Sequence, residues 1–258
     1  MNKKLLLACA LLLPLSGCVT ETTTIGDKNQ RTADDIDTKT AAATRLKLGL
    51  SYLQKGNMSQ AKMNLEKAEE FDPNSPDVML GMVYYYQRVG NSKKAEEGYK
   101  EIISRYSDNA DAMNNYGVFL CGQGRYQDAE KQFLQAVDVP KYTRQDDTFE
   151  NAATCSYKAG NKTKAATYLD KALDYSPLSS NLLLEASSLA LEMGNTAKAS
   201  NYLQRYEQAG RMSAQGLWLK LQLADRNGEL ATVQKIGAEL VKTYPTSEQA
   251  KRYLKNDY

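Results

Sequence analysis

The sequence predicts an all-α chain: six helix-turn-helix hairpins in a row, closed by a short C-terminal helix. Three observations carry this. From Ala42 onward the pattern repeats with a period near 34 residues, the length of one helical hairpin with its turn. Glycine, alanine and proline return at the same offsets in successive units, which a plain bundle of 3.6-periodic helices would not require. The segment before Ala42 is short and polar, preceded only by a brief apolar run, so the repeats form one continuous block.

The first unit, 42–75, shows the marks best, with Leu48-Gly49, Tyr52, Gly56, Ala61, Leu65, Ala68 and Pro73. Each has a physical task. Gly49 and Ala61 are small because the two helices of the hairpin cross closely there. Tyr52 and Leu65 fill the space between hairpins, Gly56 permits the turn, and Pro73 cannot continue the second helix. The second unit, 76–109, carries Tyr86, Gly90, Ala95 and Tyr99; the third, 110–143, carries Gly117, Gly124, Ala129, Phe133 and Ala136. The fourth, 146–179, has Gly160, Ala165, Leu169, Ala172 and Pro177. The fifth, 180–213, keeps Gly194, Ala199 and Leu203. In the sixth, 214–247, Ala224, Gly228, Leu240 and Pro245 survive, but Val233 replaces the small residue of the second helix. A cap over 247–258, helical from Ser247 to Leu254, shields the last apolar face, as terminal repeats must. Laid on the tetratricopeptide repeat (TPR) pattern, these residues fall at its small and large positions. The resemblance implies a right-handed TPR superhelix.

Ahead of the repeats, Met1-Asn2-Lys3-Lys4 leads into an apolar run from Leu5 to Leu13 and then Leu15-Ser16-Gly17-Cys18. Basic residues, a short apolar run and small residues make a secretory signal over 1–17. The run is too short to span a bilayer, which needs roughly 20 apolar residues. An ordinary signal peptide with a chance cysteine after its cleavage site would also look like this. Leu-Ser-Gly-Cys, however, resembles the bacterial lipobox closely. That resemblance implies that Cys18 becomes the acylated N-terminus, with palmitate-type chains enough for a stable anchor. In such lipoproteins Asp after the cysteine favours the inner membrane; Val19 here implies the outer membrane, facing the periplasm. Residues 18–41, rich in Thr and Asp, read as a flexible tether.

Composition excludes more than it suggests. Loss of Lys3 and Lys4 with the signal takes 33 basic residues to 31, against 31 acidic ones. A neutral mature chain gives no reason to expect nucleic acid as a partner. There is no histidine, which removes Ser-His-Asp and Cys-His nucleophiles, His-ligated zinc and the commonest general base. Asp34, Asp35 and Asp37 lie in the tether, while Asp146 and Asp147 open a helix, where acids suit the dipole. No glycine-rich phosphate loop is present. The expectation is therefore no enzyme, no cofactor, no metal and no small-molecule substrate.

Several local stretches carry a more specific likeness. Asn114-Asn115-Tyr116-Gly117-Val118-Phe119-Leu120-Cys121 and Gly124-Arg125-Tyr126-Gln127-Asp128-Ala129-Glu130 resemble the type IV pilus biogenesis lipoprotein family PilF/PilW. So do Glu150-Asn151-Ala152-Ala153-Thr154-Cys155, Leu217-Trp218-Leu219 and Tyr244-Pro245-Thr246-Ser247. The resemblance spans lipobox, tether and six repeats. It implies a pilotin, which helps the pilus secretin reach and multimerise in the outer membrane. A TPR scaffold of another outer-membrane or cell-wall assembly would share the fold and anchor.

Two expectations follow from the repeat register. Cys121 and Cys155, the only cysteines left in the mature body, fall late in the first helices of hairpins three and four. Those helices pack side by side, and the positions differ by two residues, ~3 Å of rise. In an oxidising compartment such thiols tend to close; two buried free thiols are the alternative. The groove of a TPR superhelix is lined by set positions of each first helix. In hairpins one and two these hold Leu46, Leu50, Leu53, Leu80 and Tyr84, with Asn114 following in the third. Hairpins four and six offer Glu150, Thr154, Lys158, Gln222 and Asp225 instead. An apolar secretin segment is thus expected across the five N-terminal residues, with Asn114 bonding its backbone. A tether folded back over the leucines is the competing occupant.

Overall fold

The computed structural model describes residues 28–258 except Arg211, with side chains from Asp37 onward. The signal peptide, Cys18 and the first part of the tether lie outside the described residues. Thirteen α-helices make up the described chain. They pair as α1 (Lys28–Gln54) with α2 (Met58–Phe71), α3 (Pro76–Arg88) with α4 (Ser92–Arg105), and α5 (Ala110–Gly122) with α6 (Tyr126–Val137). Next come α7 (Gln145–Lys158) with α8 (Lys162–Tyr175), α9 (Ser180–Glu192) with α10 (Thr196–Ala209), and α11 (Ala214–Arg226) with α12 (Leu230–Thr243). A final α13 (Glu248–Leu254) closes the array. The fold is an all-α array of TPR hairpins.

One turn chemistry is used six times. Gly56, Gly90, Gly124, Gly160, Gly194 and Gly228 all adopt φ between 74° and 79°, a left-handed conformation that side chains resist. Asn57, Asn91, Asn161 and Asn195 follow their glycines and cap the next helix, each side chain accepting from a backbone N–H three residues on. Close crossing then explains the small residues. A Cβ on Gly49 would fall 2.6 Å from Leu65 Cγ, and one on Gly117 2.6 Å from the Phe133 ring. The second hairpin meets the same demand with a different residue. Val83 occupies the matching site on α3, and Gly98 on α4 makes room: a Cβ there would lie 2.5 Å from Val83 Cγ2.

One departure from the expected elements has a clear cause. Helix α1 begins at Lys28, so the tether expected over 18–41 is helical in its last fourteen residues. Once Ala42–Gln54 is packed, extension toward the N-terminus adds one hydrogen bond per residue, and no glycine or proline intervenes. Those residues continue α1 in line, so they do not fold back over Leu46 and Leu50. The gap of two residues between the third and fourth units, 110–143 and 146–179, appears as a lengthened connection. α6 stops at Val137, and residues 138–144 form an irregular link in which Lys141 takes φ 64°. Tyr142 and Thr148 share a 3.0 Å hydroxyl hydrogen bond, while Arg144 bridges Asp111 at 3.0 Å and Asp147 at 2.9 Å.

One apolar core runs through hairpins two to five, and a second joins α11, α12 and α13. Among the described residues no helix is long and apolar enough to cross a membrane.

Candidate protein-binding groove

The N-terminal end of the first-helix face is apolar, but much of it is already in use. Leu46 is half-buried and rests where a side chain at Gly81 would be: a Cβ there would meet Leu46 Cδ1 at 2.5 Å. Leu53 and Leu80 are only 5% and 7% exposed and belong to the core. Asn114, 3% exposed, accepts a 3.0 Å hydrogen bond from the Asn151 amide. These three positions are corrected: they hold hairpins together and do not face a partner. A one-residue step, roughly 100° around the helix, moves the available amide to Asn115. That residue is half-buried and donates to the Tyr84 hydroxyl at 2.7 Å.

What remains accessible is Leu50 and Tyr84, with part of Leu46, flanked by exposed Ala43, Gln54 and Arg88. Burial, and then the charge of Asp111, pushes the Tyr84 hydroxyl pKa up, so it stays a neutral hydrogen-bonding group. Beside Tyr84, α3 and α5 part to leave an open cleft of about 330 Å³ that also takes in Gln87, Asn115, Phe119 and the 45%-exposed Val118. The sequence reading passed over Asn115 and Phe119. The groove rule takes five fixed positions of each repeat and carries nothing about which helix pairs diverge.

Cys121 and Cys155 join α5 to α7 in a disulfide, with their Cα atoms 5.7 Å apart. Both are buried. Beyond it the first-helix face turns polar. Glu150, Gln222 and the exposed Thr154, Lys158 and Asp225 all reach solvent, and burial with neighbouring Asp147 and Asp146 pushes the Glu150 carboxyl up. Trp218 is buried under the Arg252 guanidinium, 4.6 Å from its ring centroid. Among the described residues no group of three or more Cys, Asp or Glu side chains could hold a metal. The arrangement offers an apolar patch, amide groups and a charged continuation, which are means of holding a peptide segment.

Comparison with known proteins agrees with the geometry. Tetratricopeptide repeat families match residues 42–75 and 80–143. The type IV pilus assembly protein PilF of Pseudomonas aeruginosa is 32% identical over 247 residues, covering 96% of each chain. This chain belongs to the PilF/PilW family of type IV pilus biogenesis proteins. The solved structure of Pseudomonas aeruginosa PilF, 30% identical, superposes with a TM-score of 0.66 over 85% of this chain and 99% of that one. That of PilW, a widely conserved type IV pilus biogenesis factor, gives 0.67 at 26% identity, over 83% and 98%. The PilF/PilW likeness thus extends across both ends of the groove.

Proposed function

We propose that this chain is an outer-membrane lipoprotein that binds the type IV pilus secretin and promotes its localisation and multimerisation. Full-length membership of the PilF/PilW family carries the reading. Two features support it: the lipobox ending in Cys18, and the apolar end of the groove at Leu46, Leu50 and Tyr84. The anchor would hold the array at the periplasmic face, where secretin subunits arrive before they insert. The repeats would then supply a surface for an apolar secretin segment, since TPR arrays bind protein segments by shape and by a few anchoring contacts.

The anchor is tested by Cys18→Ser, which should leave the protein in the soluble periplasmic fraction. Sedimentation of that variant with the outer membrane, together with unacylated wild type in mass spectrometry, would sink the anchor. The groove is tested by Leu50→Glu and Tyr84→Ala. Each should weaken secretin binding by about 2 kcal/mol, roughly thirtyfold, and reduce secretin multimers while the helical melt stays unchanged. Normal multimers in both variants would exclude this patch as the contact.

A further inference from the structure

A second cleft opens further along the same face, between α7 and α9, with a volume of about 150 Å³. Its floor is apolar and buried, made by Ala153, Leu169 and Leu189. Its rim carries Tyr157, Glu185 and Glu192. The two acids are in different states. Glu192 is engaged by Lys162 at 2.8 Å and by the Tyr157 hydroxyl at 3.0 Å. Glu185 is half-buried, and no hydrogen bond or ion pair engages it among the described residues. A second carboxylate, Glu150 on α7, acts on it through space and is also without a cationic partner among the described residues. Burial and then this like charge push the Glu185 carboxyl up. A carboxylate kept partly out of water beside a second one is costly unless something positive arrives.

We propose that this cleft receives one lysine or arginine side chain from an extended basic segment of a partner protein. The chemistry of the cleft is that of such a side chain read from stem to tip. The methylenes of Lys and Arg pack along apolar surface while the cation stays at the edge; here the floor is apolar and the open carboxylate stands at the edge. An inorganic cation would gain nothing from the floor, and among the described residues no three carboxylates or thiolates are placed to hold one together. The cleft lies in hairpins four and five, apart from the apolar patch of hairpins one and two. It would therefore add a charge requirement to partner choice, because a segment lacking the basic residue leaves Glu185 half-buried and unpaired. The proposal stands whether or not the partner is a secretin.

The test uses the Cys18→Ser chain and ¹H–¹⁵N NMR, titrated with the peptide acetyl-Gly-Ser-Lys-Ser-Gly-amide. Saturable shifts are expected at the amides of Ala153, Tyr157, Ser188 and Leu189. The Glu185→Gln variant should bind at least fivefold more weakly with its spectrum otherwise intact, and a peptide with norleucine in place of lysine should leave those amides unmoved. Equal shifts with norleucine, undiminished binding by Glu185→Gln, or shifts confined to other helices would overturn the proposal. So would calcium chloride moving the same amides with the same dependence on Glu185, which would make the cleft a cation site. Self-association in sedimentation that Glu185→Gln abolishes would also overturn it, since a second copy would then be the occupant.

Discussion

Glu96 gathers donors from its own helix, from α5 and from Arg125 at the N-cap of α6. Lys100 reaches it at 2.7 Å, Arg125 at 2.9 Å, and the Tyr116 hydroxyl at 3.0 Å. Lys100 and then Arg125 hold its carboxyl at about 2, well below the usual carboxylate range. A depressed acid stabilises the fold above its unfolded pKa of ~4.3, and the gain is lost as pH falls toward 2. Wild type should therefore lose stability between pH ~4.3 and 2 more steeply than Glu96→Gln. Urea midpoints of the two proteins across that window decide it, and parallel curves would remove Glu96 as the cause. None of this was legible in the sequence. Glu96 reads as one of many acids on a solvated helix face, and only the neighbouring hairpin supplies Arg125 and Tyr116. The same limit explains Asn114 and Asn115: the register gave the turn of helix correctly, but which amide is buried depends on Asn151, 37 residues away.

Elements were far easier to read, because their marks answer steric demands that few residues can meet. A left-handed turn needs glycine, and all six turn glycines are visible in the chain as written. Helix starts answer weaker demands, so α1 runs fourteen residues further than expected. The C-terminal cap joins both lessons. Leu65, Phe133, Leu169 and Leu203 each lie nine residues after a turn glycine and fill the space beside the first helix; nine after Gly228 comes Gly237. The vacancy is filled from elsewhere, since a Cβ on Gly237 would sit 2.0 Å from the Tyr253 ring of α13. Seven before the turn glycine, where Gly49 and Gly117 stand, this hairpin has the buried Leu221, and Tyr253 of the cap covers Gly237 from outside. Gly237→Leu should displace Tyr253 and cost about 1–3 kcal/mol. Adding Tyr253→Ala should recover part of that loss, because the leucine then takes the space that the ring vacates. Chemical denaturation of the two single variants and the double variant gives the coupling; additive losses would show that Tyr253 and Gly237 do not share one space.

At the scale of the whole array, each hairpin touches mainly its neighbours, so stability is a sum of repeat and interface terms. The interface between hairpins three and four breaks the regular spacing. Turn glycines are 34 residues apart everywhere except between Gly124 and Gly160, where the link after α6 adds two. The Cys121–Cys155 bond spans this joint on the first-helix side, while Arg144, Tyr142 and Thr148 tie the link itself. A disulfide closing a loop of 34 residues stabilises by about 3–4 kcal/mol on chain-entropy grounds. In a nearest-neighbour array that contribution should be felt locally. Cys121→Ser with Cys155→Ser should therefore speed amide exchange in α5 to α8 and leave α1, α2, α12 and α13 close to wild type. Thiol counting on denatured, unreduced wild type must first find no free thiol among these two. Exchange accelerated evenly along the chain would mean that the hairpins open as one cooperative unit. Unchanged exchange in α5 to α8 would mean that the link residues alone hold the joint. Which outcome holds also bears on the groove, because the joint sets the angle between its apolar N-terminal end and the acidic cleft beyond it.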